Sequence, residues 1–179
     1  MQWQLITYYI IDKIMKNKLK TYVLTLSPVF PKNHPRAGEE TGFKPKFISA
    51  LENMPCYHKK LHTIRANYAL WRKRFEKIAA GEAVLSIRQW VGKPYGKSST
   101  QIELAKLTHE DGIGIQKLDM ELGINIIEEP DSEPFESHIV SDLTLASNDG
   151  LSVADWKAWF RNYDKSHPLA IIHFTPFRY

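Results

Sequence analysis

The chain has 179 residues, of which 43% are hydrophobic, 12% aromatic and 25% charged, and its formal net charge is +4. These proportions are typical of one globular domain and exclude collagen-like, low-complexity and disordered chains. No apolar run approaches the roughly 18 to 20 residues of a membrane-spanning helix, so the sequence predicts no membrane partner. The single cysteine, Cys56, cannot form an internal disulfide. This predicts a reducing, cytoplasmic location.

Positive charge is concentrated in the first part of the chain. Residues 1–100 contain 18 Lys and Arg against 6 Asp and Glu, whereas residues 101–179 contain 6 against 14. A basic segment rich in Trp and Tyr is typical of proteins that bind polyanions or nucleobases, because cations neutralise phosphate and aromatic faces stack on bases. Charge alone leaves a second interpretation open, in which the two parts attract each other within one fold.

Residues 1–20 are predicted to form an N-terminal extension. The first fourteen are apolar and aromatic, and they lack the basic leading region and the small-residue cleavage site of a signal peptide. Met15, which precedes a polar basic run, is therefore a candidate for the true start. Residues 21–179 are predicted to form a single domain.

The predicted elements alternate between strands and helices, which indicates an α+β domain with a curved or barrel-like, mainly antiparallel sheet. In chain order they are a strand at 21–26, a proline-rich loop to about 41, a short helix at 46–53, a helix at 67–80, strands at 83–90, 101–107 and 113–118, an acidic irregular insertion at about 119–148, a helix at 153–164 and a strand at 169–174.

Basic residues cluster before and within the predicted helix at 67–80. Cations beside hydroxyl and aromatic groups can bind a phosphate, a carboxylate or the edge of a base. The alternative is a solvated basic face. The residues are Lys59, Lys60, His62, Thr63 and Arg65 ahead of the helix, and Trp71, Arg72, Lys73 and Arg74 within it.

Three further residues, Trp90, Lys93 and Tyr95, are candidates for a stacking wall of the same cleft. The alternative is that Trp90 is a core tryptophan beside a tight loop.

Other residues that could take part in chemistry are assigned to the core or are not predicted to form a site. His173 is expected to be a hydrogen-bonded core residue, and Trp156 and Trp159 lie on the apolar stripe of a helix. Cys56, His58 and His62 lack a fourth ligand, so no metal site and no cofactor are predicted.

The motif Lys60-x-x-Thr63-x-Arg65, followed by a helix, the turn Gly81-Glu82 and a strand, resembles the opening signature of ASCH domains of the PUA-like superfamily. The segment DGLSVADWKAWF and the strand after it extend the resemblance, which covers about residues 21–118 and 148–175. The resemblance implies a small β-barrel with flanking helices and a cleft that binds RNA or a modified nucleoside.

Within that family the chain is similar to bacterial 4-acetylcytidine amidohydrolases. The resemblance implies catalytic roles for Lys60, Thr63 and an acid that aligns near Asp149, with Glu103 and Glu110 as alternative acids. A threonine hydroxyl becomes nucleophilic when a base takes its proton, and a desolvated lysine near other cations can act as that base because its pKa falls. Alternatively, Lys60 only pairs with a ligand anion and Thr63 only caps the following helix.

The sequence therefore favours binding of RNA or a nucleoside-like ligand in a basic cleft. An amidohydrolase acting on an acylated nucleoside is the alternative. A protein-interaction module that uses the acidic segment 128–142 as its contact is a third function class.

Overall fold

The computed structural model describes residues 19–54, 59–92, 94, 96, 98–120, 123–128 and 136–179, and these form an α+β domain. The described part contains eight strands and four α-helices. The strands are β1 (Lys20–Leu26), β2 (His62–Arg65), β3 (Ala83–Val91), β4 (Thr100–Leu107), β5 (Gly114–Asp119), β6 (Ile126–Glu128), β7 (Ser137–Ile139) and β8 (Leu169–His173). The helices are α1 (Phe43–Leu51), α2 (Tyr68–Ala79), α3 (Asp142–Asn148) and α4 (Val153–Phe160).

The strands form two sheets. One has the order β1-β3-β4 and the other the order β2-β8-β5-β6-β7. All pairs are antiparallel except β1 with β3, which are parallel and are connected through α1, β2 and α2. The helices and the two mainly antiparallel sheets confirm the expectation of an α+β fold. Pairing among the described residues closes no barrel, so the expected barrel is not confirmed.

Helix α2 covers the core because its sequence is amphipathic. Trp71, Phe75 and Ile78 recur at helical spacing and are all buried. Asn67 caps the helix by accepting a hydrogen bond from the backbone N–H of Leu70. This matches the expected helix at 67–80, and the capped start places α2 directly after strand β2.

Strand β2 carries two residues of the sequence motif, Thr63 and Arg65, while Lys60 precedes the strand. Thr63 lies opposite Ile172 and Arg65 opposite Ala170. Because side chains alternate along a strand, Thr63 and Arg65 share one face while Ile64 points into the core, where it is fully buried.

The segment expected to be an irregular insertion is more ordered than predicted. It contains β6, β7 and α3, and its residues Ile127, Leu145 and Ala146 are fully buried. The prediction that it is irregular throughout is wrong. The segment is acidic overall, so its few apolar residues gave too weak a pattern to predict the strands and the helix that they form.

Two predicted helices differ in their ends. Helix α1 begins at Phe43 rather than at 46, because Gly42 adopts a left-handed conformation that starts the helix and Pro45 is tolerated in its first turn. Helix α4 ends at Phe160 rather than at 164, and the following residues form turns, in one of which the Asp164 carboxylate accepts from the backbone and hydroxyl of Ser166.

The start at Met15, residues 1–18 of the predicted extension, and the candidate residues Lys93 and Tyr95 lie outside the described residues. Lys20, which was placed in the extension, is the first residue of β1. Among the described residues, no helix is long and apolar enough to cross a membrane.

Candidate functional site

A small polar cavity of about 140 Å³ lies where β1, β2 and the helices α1 and α4 meet. Its volume corresponds to about five water molecules at roughly 30 Å³ each. Aromatic and hydroxyl side chains line it together with two cations and one carboxylate. The lining residues are Thr25, Ser27, Phe43, Lys60, Thr63, Arg65, Asp149, Trp159, Phe160 and Tyr163.

Lys60 and Asp149 form a buried ion pair in this cavity. The Lys60 Nζ atom lies 2.5 Å from Asp149 Oδ1 and 2.9 Å from the Asp149 backbone carbonyl oxygen. The two residues are 1% and 3% exposed. The same ammonium lies 3.9 Å from the ring centroid of Phe43, a cation–π contact. Removing either partner would leave an uncompensated charge in the interior.

Gly150 allows the segment after α3 to approach Lys60. Its φ of +75° lies in the left-handed region, and a Cβ atom built there would lie 3.3 Å from Lys60 Cβ and 3.2 Å from Lys46 Cδ. Lys46 Nζ also donates to the Gly150 carbonyl at 2.7 Å. A glycine therefore follows Asp149 because both the backbone conformation and the close packing require one.

The hydroxyl of Thr63 is oriented by Arg65. Arg65 Nη1 donates to Thr63 Oγ1 at 2.8 Å, and Nη2 donates to the Thr25 backbone carbonyl at 2.8 Å. With one lone pair of Oγ1 occupied by the guanidinium, the hydroxyl proton points away from Arg65. The alternative that Thr63 caps α2 is wrong, because Asn67 provides that cap.

Burial dominates the protonation of these groups. It lowers the pKa of Lys60 to about 8, although the Asp149 carboxylate opposes the effect. It also raises the pKa of Asp149 and lowers the pKa of the Arg65 guanidinium. A lysine whose pKa lies near 8 can act as a proton acceptor close to neutral pH, which an exposed lysine cannot do.

The structure brings together Lys60, Thr63, Arg65 and Asp149, which the sequence analysis singled out. The alternative acids are elsewhere, since neither lines the cavity. Glu103 lies on β4 and accepts from the Ser86 hydroxyl at 2.5 Å, and Glu110 lies in a short 3₁₀ helix.

Of the other predicted ligand-binding residues, the four that the structure describes do not line the cavity. Trp71 is buried on the inner face of α2, and Arg74 lies 4.5 Å from its ring centroid. Arg72 is on the exposed face of α2, 3.5 Å from Glu76, and Trp90 is half-buried on β3. None of these four residues therefore lies in the cavity that contains Lys60.

Some lining residues were missed by the sequence analysis. Thr25 comes from β1, Phe43 from α1 and Tyr163 from the turn after α4, and nothing in their local pattern separates them from core residues. Trp159 was assigned to the core, and it packs there, but it also lines the cavity. Trp156 is a core residue, as expected.

Positive charge in the first part of the chain is partly used within the fold. Lys60 pairs with Asp149, Arg36 with Asp155 at 2.9 Å, and Arg88 lies 3.9 Å from Glu103. Each pair joins a cation from the first hundred residues to an acid from the remainder. These ion pairs support the interpretation in which the basic residues 1–100 and the acidic residues 101–179 attract each other within one fold. Binding of a polyanion stays a prediction.

Beneath the cavity strand, His62 and His173 are fully buried and their rings lie 5.7 Å apart. His173 is a core residue, as expected, but neither of its ring nitrogens has a hydrogen-bond partner among the described residues. Burial lowers the pKa of His173 to about 3 and holds that of His62 well below its ordinary value. Both rings are therefore neutral at physiological pH.

A second, more open hollow of about 480 Å³ begins beside the cavity. Ala66 and Asp164, which line it, directly follow the cavity residues Arg65 and Tyr163. Its remaining lining is mostly apolar, and it contains no buried ionisable group. We therefore place the candidate chemistry in the smaller cavity, where buried ionisable groups converge.

Searches against family models, curated proteins and solved structures found no match to this chain.

Proposed function

We propose that the chain is an amidohydrolase that removes the acyl group from an acylated nucleoside such as 4-acetylcytidine. The observation that carries this proposal is the buried Lys60–Asp149 pair, which shares a small cavity with the hydroxyl of Thr63. A buried lysine with a lowered pKa that shares a cavity with a hydroxyl is an arrangement suited to a general base and its nucleophile.

In the proposed reaction the free amine of Lys60 takes the proton of the Thr63 hydroxyl as Oγ1 attacks the amide carbon. The tetrahedral intermediate then collapses, the carbon–nitrogen bond breaks, and the Lys60 ammonium returns the proton to the leaving amine of the base. A water molecule then attacks the threonyl ester as Lys60 accepts its proton, and Lys60 returns that proton to Thr63 Oγ1 when the ester bond breaks. The products are the carboxylic acid and the unmodified nucleoside.

The neighbouring residues support these roles. Arg65 holds Thr63 Oγ1 and places a positive charge beside the oxygen that attacks. Asp149 holds the Lys60 side chain in place through two hydrogen bonds. Trp159 supplies an aromatic wall, and the cavity of about 140 Å³ would hold the acyl amide while the rest of the nucleoside extends into the adjoining hollow of about 480 Å³.

The resemblance of Lys60-x-x-Thr63-x-Arg65 to the ASCH signature also supports the substrate class. We therefore propose that the domain is a PUA-like relative in which the two sheets correspond to a small barrel. The cavity lies against the edge strands β1 and β2, one from each sheet.

Release of the carboxylic acid from 4-acetylcytidine and a panel of other acylated nucleosides tests the proposal. Thr63→Ser is expected to retain some turnover and Thr63→Val none, because only the hydroxyl attacks the carbonyl. Asp149→Asn is expected to reduce turnover, whereas Glu103→Gln and the exposed Lys106→Arg serve as controls that leave it unchanged. Turnover that survives in Thr63→Val contradicts the nucleophile assignment.

The exposed face of α2 favours RNA binding as a second candidate function. Arg72 and Lys73 are exposed there, and Arg74 lies over the rings of Trp71 and Tyr22. Affinity for a single-stranded RNA is expected to fall with log salt at a slope of about −0.7 per contacted phosphate. Replacing Arg72 and Lys73 by Gln should flatten that slope without unfolding the protein. Absence of RNA binding at low salt would remove this candidate and leave the cavity chemistry untouched.

A further inference from the structure

Tyr179 lies outside the cavity but contacts both segments that build it. Its hydroxyl lies 2.7 Å from His62 Nε2 and accepts a hydrogen bond from Asn148 Nδ2 at 3.1 Å. His62 stands one position before Thr63, and Asn148 one position before Asp149. A single phenol therefore joins the strand that carries the proposed nucleophile to the helix end that carries the proposed acid.

The directions of these hydrogen bonds follow from protonation. Burial holds the pKa of His62 well below its ordinary value and raises the pKa of Tyr179, so the imidazole is neutral and the phenol keeps its proton. Because the phenol oxygen accepts from Asn148, its one proton is available to the ring nitrogen of His62. The phenol thus satisfies one polar group on each segment.

Tyr179 is itself held at both its backbone and its ring. The Gln116 side chain accepts from the Tyr179 backbone N–H at 3.1 Å and donates to its carbonyl at 3.5 Å. The ring packs edge-on against His62, His173 and Phe177. These contacts fix the position of the Tyr179 hydroxyl relative to β5 and β8. The hydroxyl can therefore hold His62 and Asn148 at a fixed separation.

The two segments are also joined directly, through the hydrogen bonds of Lys60 Nζ to Asp149 and through one backbone hydrogen bond. The Leu61 backbone N–H donates to the Asn148 carbonyl at 2.8 Å. The distance between Lys60 Nζ and Asp149 Oδ1 depends on how these neighbouring residues are held. We propose that Tyr179 is a positioning residue, which sets the separation of Lys60, Thr63 and Asp149 by binding His62 and Asn148 with one hydroxyl. The catalytic part of this inference rests on the proposed function.

Tyr179→Phe tests the inference, because it removes the hydroxyl and keeps the ring. The matched control is Tyr22→Phe, on β1 and away from the cavity. If Tyr179 positions the site, kcat for the acylated nucleoside should fall by roughly 10- to 100-fold while KM stays within about twofold. The melting temperature should fall by only a few degrees, because His62 and Asn148 each lose one hydrogen-bond partner.

A second readout does not need turnover. In the unliganded protein, the pKa of Lys60 can be followed by the chemical shift of its ε-carbon during a pH titration. We expect this pKa to rise from about 8 toward its ordinary value of 10.5 in Tyr179→Phe, because a loosened cavity admits water and reduces the burial that lowers it. Tyr22→Phe should leave it unchanged.

Asn148→Ala should also lower kcat and raise the pKa of Lys60. The double variant with Tyr179→Phe should have the same kcat as Tyr179→Phe alone, since both substitutions remove the hydrogen bond between Asn148 and the Tyr179 hydroxyl. An unchanged Lys60 pKa in Tyr179→Phe overturns the positioning role, whatever the activity. Wild-type protein that releases no acid overturns the proposed function, and the Lys60 titration still decides the role of Tyr179.

Discussion

The guanidinium of Arg65, on β2, donates a 2.8 Å hydrogen bond to the backbone carbonyl of Thr25, on β1. These two strands are edge strands of different sheets, so the contact joins the sheets at the cavity. The other branch of the guanidinium holds the Thr63 hydroxyl. One partly buried side chain therefore contributes both to the packing of the two sheets and to the orientation of the proposed nucleophile.

Arg65→Lys is expected to reduce the free energy of unfolding by about 2 kcal/mol. A single lysine ammonium cannot reproduce the two hydrogen bonds that the planar, charged guanidinium donates to Thr63 Oγ1 and to the Thr25 carbonyl. Urea unfolding measures this loss. Arg88→Lys, at a half-exposed pair on β3, should change stability by less than about 0.5 kcal/mol. Equal effects of the two substitutions would show that Arg65 does not join the sheets.

Gly150→Ala should be costly for two separable reasons. The left-handed backbone conformation costs about 1 kcal/mol for any residue with a Cβ atom, and the added methyl group meets Lys60 Cβ at 3.3 Å. Gly38→Ala is the control, because Gly38 has φ of +85° and nothing within 4 Å of the added atom. We expect Gly150→Ala to be less stable than the control and, unlike it, to lose acyl-nucleoside turnover. Two variants that behave alike would contradict the close packing at Lys60.

Acid should destabilise the fold through His62 and His173. Both have folded-state pKa values below their ordinary value of 6.5, so below that pH the unfolded chain binds more protons than the folded protein. Stability is therefore present above pH 6.5 and is lost as the pH falls, for His173 down to about 3. Between pH 6.5 and 5, His173 contributes a loss of roughly 1.5 to 2 kcal/mol, and His62 acts in the same direction.

The pH dependence of urea unfolding checks this directly. His173→Leu should reduce the loss between pH 6.5 and 5 by roughly 1.5 to 2 kcal/mol, whereas replacing the exposed His167 by Gln should not alter it. An unchanged acid sensitivity in His173→Leu would mean that other groups cause the destabilisation.

Local pattern was sufficient to predict much of the fold. The helix Tyr68–Ala79 and the strands around 83–91, 100–107 and 169–173 follow from their periodicity and from nearby Gly and Pro residues. The parallel pairing of β1 with β3 and the separation into two sheets were not predictable in this way, because strand partners are chosen by contacts between distant residues. Burial of Leu145 in an acidic segment was missed for the same reason.

The site was predictable only where its residues are close in sequence. Lys60, Thr63 and Arg65 lie within six residues, and strand alternation places the last two on one face. Asp149 was found through the resemblance alone. Phe43, Tyr163 and Tyr179 carry no sequence signal for this site, since their role comes from tertiary packing that brings separate elements to one cavity.

The pH dependence of acid release from 4-acetylcytidine tests the central claim most directly. If the free amine of Lys60 is the base, kcat/KM should rise with pH and level off above a midpoint near the Lys60 pKa of about 8. Lys60→Arg should abolish turnover at every pH while still binding the nucleoside, because arginine stays protonated. A flat profile, or Lys60→Arg with the activity of the wild type, would contradict the account, as would wild-type protein that releases no acid from any acylated nucleoside between pH 6 and 10.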